Sequence, residues 1–122
     1  MDSQRELVKV FDALSHPVRL RILQLLAHEE QCVCHLTAVL RQRQPYVSQQ
    51  LAVLRDAGLV LDRREGLMIL YHLASPRVLA LIEMAVEMLR QQGQEIILQP
   101  LPEIPVPGCP CPRCAAATGS SS

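Results

Sequence analysis

Aromatic side chains are almost missing. The 122 residues include two Tyr, one Phe and no Trp, which argues against a single-strand platform on which successive bases stack. An excess of charge is missing too. Lys and Arg number 12, as do Asp and Glu, so any grip on a polyanion must come from charge gathered locally. No apolar run approaches the roughly 18 residues of a membrane span. The polar start Met1-Asp2-Ser3-Gln4-Arg5-Glu6 leads straight into a helical pattern without a signal-peptide apolar stretch. The expectation is a cytoplasmic protein with no membrane partner. An even cysteine count is also lacking: the five fall in two clusters, Cys32 and Cys34, then Cys109, Cys111 and Cys114. In a reducing compartment, such a pattern favours metal or redox chemistry over structural disulfides.

Apolar residues are plentiful at 49%, and the length suits one small domain. Composition changes near Gly93. Residues 1–92 contain Pro17, Pro45 and Pro76, each where a helix could begin; residues 93–122 contain the other six prolines. The division is therefore a folded domain over 1–92 and an extended, polyproline-like, Cys-containing arm over 93–122.

Within the domain, Leu7, Val10, Phe11 and Leu14 recur at helical spacing, predicting an amphipathic helix over 4–14. Ser15-His16-Pro17 restarts the chain with a cap and a first-turn proline, opening a heavily apolar helix that ends near His28-Glu29-Glu30. A third helix spans about 34–41. A fourth begins at Pro45, turns Val47, Leu51 and Leu54 inward and stops at Gly58. Strand-like runs at 59–61 and 68–73 flank Asp62-Arg63-Arg64-Glu65-Gly66, a charged turn. A last helix runs from about Pro76 to Gln92.

Helix, short turn, helix and basic hairpin compose a mainly α winged helix-turn-helix, whose second helix enters a major groove while the hairpin lies along the backbone or minor groove. Charge follows the same plan. From Arg41 to Arg64 five arginines (Arg41, Arg43, Arg55, Arg63, Arg64) face only Asp56 and Asp62, a local excess of three positive charges. The candidate contacts to duplex DNA are Arg41, Arg43, Gln44, Tyr46, Ser48, Gln49, Arg63 and Arg64; glutamine can pair with adenine.

LSHPVRLRILQLL in the second helix, CVCHL opening the third and VSQQLAVLRDAGLV through the fourth resemble the ArsR/SmtB metal-sensing repressors, and the RREG hairpin fits. The resemblance implies a homodimer joined through its first and last helices, bound to operator DNA. Gln50 stands where the family usually carries His, on the flank of the recognition helix, a change expected to bear on operator preference.

Two residues rotate about 200° on a helix, so Cys32 and Cys34 cannot both face one way within it. Cys32 is better placed in the turn before the third helix and Cys34 in its first turn, where the helix N-terminus favours the negative thiolate. An ion held there would distort a helix that packs behind the recognition helix. The resemblance points the same way: CVC looks like the thiolate site of arsenic-, cadmium- and lead-sensing members. In the arsenic-sensing version another cysteine follows three residues later, where this chain has Thr37. The tail offers Cys109, Cys111 and Cys114, the last two at C-x-x-C spacing. Three sulfurs suit arsenite or antimonite by the resemblance, and four would suit cadmium, lead or zinc. The Asp and His ligands of zinc-sensing relatives are absent from residues 75–92. His16 reads as a cap, and His28 and His35 as solvent-facing.

The expected function is a repressor released from DNA when Cys32, Cys34 and tail cysteines bind a thiophilic ion, arsenite first. The alternatives are a cadmium, lead or zinc sensor, or a redox or persulfide switch on the same fold. C-x-x-C in a proline-rich arm does not make a thiol reductase, so no enzyme is expected.

Overall fold

The computed structural model describes residues 2–103 together with Val106 and Cys109. In chain order the elements are α1 (Asp2–Leu14), α2 (Pro17–His28), β1 (Gln31–Cys32), α3 (Val33–Leu40), α4 (Gln44–Asp56), β2 (Val60–Glu65), β3 (Met68–Leu73) and α5 (Arg77–Gln91). The architecture is mainly helical with a small antiparallel sheet, a winged helix-turn-helix.

Local chemistry explains the punctuation. His16 caps α2 through Nδ1, which accepts the Val18 backbone N–H at 3.2 Å, and Pro17 fills a first-turn position with no hydrogen bond to lose. Gly58, at φ +79°, ends α4. The Leu59 N–H reaches the Leu54 carbonyl and the Gly58 N–H that of Arg55, both at 2.9 Å. This left-handed cap lets Leu54 and Leu59 both enter the core.

α2 is the central element, burying Ile22, Leu23, Leu25 and Leu26. Leu36 of α3, Val47, Leu51 and Leu54 of α4, Val60 and Tyr71 of the sheet, and Val78 and Ile82 of α5 join the same core. Fully burying each of these aliphatic side chains contributes roughly 1.5–3 kcal/mol, before conformational entropy is subtracted. The outer helices are less completely covered. Leu7, Val8 and Phe11 of α1, and Leu81, Met84 and Met88 of α5, remain exposed. Among the described residues no helix is long and apolar enough to cross a membrane.

The sheet corrects the expected hairpin in two ways. Asp62, Arg63, Arg64 and Glu65 are not a turn but the body of β2, paired in register with Tyr71, Leu70, Ile69 and Met68. The reversal lies at Gly66-Leu67, with Gly66 at φ +60°. Burial could not reveal this strand, because every residue from Leu61 to Glu65 is exposed and no period-2 pattern exists. Secondly, Gln31–Cys32 adds an edge strand, giving the order β1-β3-β2.

Candidate thiol site and nucleic-acid face

Cys32 ends β1 and is also the N-cap of α3, with extended φ −82° and ψ 158°; Cys34 lies in the first turn. The strand-to-helix change brings two sulfurs together that a continuous helix would set apart. Cys32 Sγ and Cys34 Sγ are 2.8 Å from one another, both as free cysteines. Cys32 is buried and Cys34 half-buried. At the Thr37 position, one turn on, the hydroxyl donates to the Val33 carbonyl at 2.8 Å and so is engaged with the helix itself.

Beyond α5 the chain returns along the domain. Arg90 Nη2 donates to the Ile96 carbonyl at 2.9 Å. The Arg21 guanidinium donates to the carbonyls of Gln99 (3.1 Å) and Pro100 (2.6 Å), and its burial lowers its pKa from the ordinary value. Val106 is buried in one apolar cluster with Cys32 and Leu70, against which Cys34 and Cys109 pack. Cys109 Sγ lies 3.5 Å from His35 Nδ1. His35 is therefore not solvent-facing: it is 2% exposed, closed in where the returning arm meets α3. His28 is exposed as expected. Cys111 and Cys114 lie outside the described residues. Among those described, no three potential ligands converge into a preformed metal cluster.

The basic groups lie at the ends of α3 and α4 and on β2. Arg41 caps α3 in the left-handed region (φ 54°), a conformation that costs a non-glycine residue about 1 kcal/mol or more, and Arg43 is the N-cap of α4. Arg41, Arg43, Gln44 and Gln49 are exposed, and Ser48 is half-buried. Tyr46 is half-buried too, its hydroxyl 3.5 Å from His16 Nε2, so it ties α4 to the start of α2. Gln50 does not lie on the open flank of the recognition helix. It is 8% exposed and its Oε1 accepts a hydrogen bond from Arg19 Nη1 at 2.9 Å, fastening α4 to α2.

In the wing, Arg63 donates through Nε and Nη2 to the two oxygens of Glu30 at 2.8 and 2.6 Å, with Glu65 at 3.2 Å. Hydrogen bonding from Arg63 lowers the Glu30 pKa, and the same bond raises that of Arg63. His72 Nδ1 lies 3.5 Å from Glu30 Oε2, within ion-pair range but without hydrogen-bond geometry. Among the described residues Arg64 makes no ion pair. Leu67, at the wing tip, is fully exposed.

Sequence reasoning passed over Glu30 and Arg19 and read His35 as solvent-facing. Their partners lie 33, 31 and 74 residues away in the chain, beyond any local pattern.

Comparison with known proteins places these features. A family model described as "Bacterial regulatory protein, arsR family" matches residues 16–61. A Synechocystis "Transcriptional repressor SmtB homolog" is 40% identical over 81 residues, 66% of this chain and 61% of that protein. The Escherichia coli "Arsenical resistance operon repressor" is 43% identical over 72 residues, 58% of this chain and 61% of that protein. The chain thus spans about three fifths of these two relatives. Among solved structures, Mycobacterium tuberculosis Rv0081 superposes with a TM-score of 0.70 at 33% identity, over 75% of this chain and 93% of that one. A homodimeric winged helix-turn-helix DNA-binding domain from Mycobacterium bovis, described as a possible ArsR-family regulator, gives 0.68 at 27%, over 79% and 92%.

Proposed function

Since this chain belongs to the arsR family of bacterial transcriptional regulators, we propose that it is a homodimeric repressor that holds operator duplex and releases it when a thiophilic ion takes Cys32 and Cys34. The observation that carries this reading is the pair of sulfurs in contact at the junction of β1 and α3. α3 is the first helix of the helix-turn-helix, so strain at its start reaches the recognition helix behind it.

Arsenite is the favoured ion, in keeping with the name of the Escherichia coli relative. Arsenous acid exchanges its three hydroxyls for three thiols, forming three As–S bonds and releasing three waters. Cys32 and Cys34 supply two of them. Cys109, packed on the same apolar cluster, is the candidate for the third among the described residues. With Cys111 or Cys114 added, four sulfurs would instead suit cadmium, lead or zinc. A coupling of about 1–3 kcal/mol between ion and DNA is enough to change occupancy from several- to a hundredfold.

On the DNA side, α4 presents Gln49 to base edges in the major groove, while Arg41, Arg43, Gln44, Ser48 and Arg64 meet phosphates. Tyr46 and Arg63 act mainly by holding α4 and the wing in place. The exposed apolar residues of α1 and α5 form the dimer contact, continuous burial of which a second copy would provide.

The test is a titration of reduced protein with arsenite, then cadmium, lead and zinc, following thiolate-to-metal absorbance and the count of blocked thiols. Saturable binding that disappears in Cys32→Ser and Cys34→Ser supports the reading. Unchanged binding in both variants overturns it. The same sulfur contact favours a second reading, a redox switch: a peroxide would oxidise the two thiols to a Cys32–Cys34 disulfide and be reduced to water. Loss of DNA binding with peroxide, and no ion affinity, would select it.

A further inference from the structure

Four contacts fix the returning chain on its own domain in sequence order. Arg90 holds the carbonyl of Ile96, Arg21 holds those of Gln99 and Pro100, Val106 is buried against Cys32 and Leu70, and Cys109 meets His35. The second contact gives direction. A guanidinium forked across two consecutive carbonyls sets both the place and the heading of the strand that leaves it, which a single bond or a point charge would not do. Pro100 at the fork and Pro102 beyond it restrict the backbone and so keep that heading. Downstream, the Cys109 N–H bonds back to the Val106 carbonyl at 3.0 Å, a turn that directs the thiol toward α3 once Val106 is seated.

We infer that the arm closes in cis, and that Arg21 is a positioning residue that delivers Cys109 to the Cys32–Cys34 pair of the same subunit. This builds on the thiol-site reading above and adds to it the origin of the third sulfur and the residue that places it. Each subunit then carries a complete site of its own, and the dimer partner contributes no ligand. Arg21 also leaves the set of basic residues open to DNA, since both faces of its fork are turned to the arm.

The experiment needs no ion, so its outcome is separable from that of the ion titration. A full-length chain with Cys32→Ser, Cys111→Ser and Cys114→Ser keeps Cys34 and Cys109. It is treated with a short reagent carrying two thiol-reactive ends and resolved on a denaturing gel, with peptide mass mapping. The expected product has the mass of one chain with Cys34 and Cys109 joined. Adding Arg21→Gln should lower its yield roughly tenfold, as expected for about 1.4 kcal/mol from two exposed hydrogen bonds. Val106→Ser, outside every helix and strand, should lower it as well. Arg21→Lys should not restore the yield, because a single ammonium nitrogen lacks the planar two-nitrogen fork that fixes the heading of the strand. Chains joined in pairs, or a yield indifferent to both Arg21→Gln and Val106→Ser, would overturn the inference. Should ions fail to bind while the intrachain link forms, the sensing reading falls and the cis arm stands.

Discussion

Cys32 and Arg63 lie in one transverse row of the sheet, on either side of Leu70 in the central strand. They are joined a second time through side chains, because Glu30, two residues before Cys32, holds the Arg63 guanidinium by both oxygens. The thiol and the wing are thus linked by a backbone ladder and by an ion pair. Drawing Cys32 toward an ion would displace the edge strand that Glu30 directly precedes, and with it the anchor of Arg63. This route to DNA runs through the wing, beside the one from α3 to α4.

Glu30→Ala should therefore act on charge more than on stability, since a half-exposed ion pair contributes little to folding. Released from Glu30 and left with only the contact to exposed Glu65, Arg63 becomes available to phosphate. The expected result is tighter binding of ion-free protein to DNA and a plot of log affinity against log salt steeper by about 0.9, the value of one added phosphate contact. Arg64→Ala should make the slope shallower by the same amount. Fluorescence anisotropy over a salt series measures both.

Gln50→Ala leaves Arg19 Nη1 without its buried partner. We expect a loss of about 1.5–3 kcal/mol in denaturant unfolding, the range for a hydrogen bond to a charged group. Gln49→Ala, one position away on the open face, should leave stability unchanged and instead relax sequence preference at one base pair, by about 1–3 kcal/mol. Binding selection from a randomised duplex pool reads the second effect.

Tyr71 has its pKa raised above the usual tyrosine value, mainly by burial and further by Asp62. A raised value in the folded state means stability that is fully present below the unfolded pKa, about 10, and is lost as pH rises through the folded value. In Tyr46→Phe protein, which retains one tyrosine, the tyrosinate absorbance should rise with a midpoint above 10, and denaturant stability should decline over the same window. A midpoint at or below 10 would contradict the burial argument.

Much of this arrangement is legible in the sequence wherever the signal is local. His16-Pro17 and Gly58 announce the ends of α2 and α4, and the apolar spacing of Val47, Leu51 and Leu54 orients the recognition helix. The placing of Cys32 before α3 and Cys34 within it follows from the angle between alternate residues on a helix. The rest of β2 beyond Leu61 was illegible because Asp62–Glu65 is exposed throughout, so its alternation has no apolar half. β1 was illegible because two residues are too few for a period. The pairs Glu30–Arg63, Arg19–Gln50 and His35–Cys109 were illegible because polar residues bonded across the fold look, in one dimension, like any solvated residue.

The most direct test of thiolate control over DNA binding is the affinity of reduced protein for a duplex selected against its ion-free form, with and without saturating arsenite, in the wild type and in Cys32→Ser/Cys34→Ser. The account predicts a five- to hundredfold loss in the wild type, corresponding to about 1–3 kcal/mol of coupling, and no loss in the double variant. Equal release of DNA from both proteins, or from neither, would contradict it.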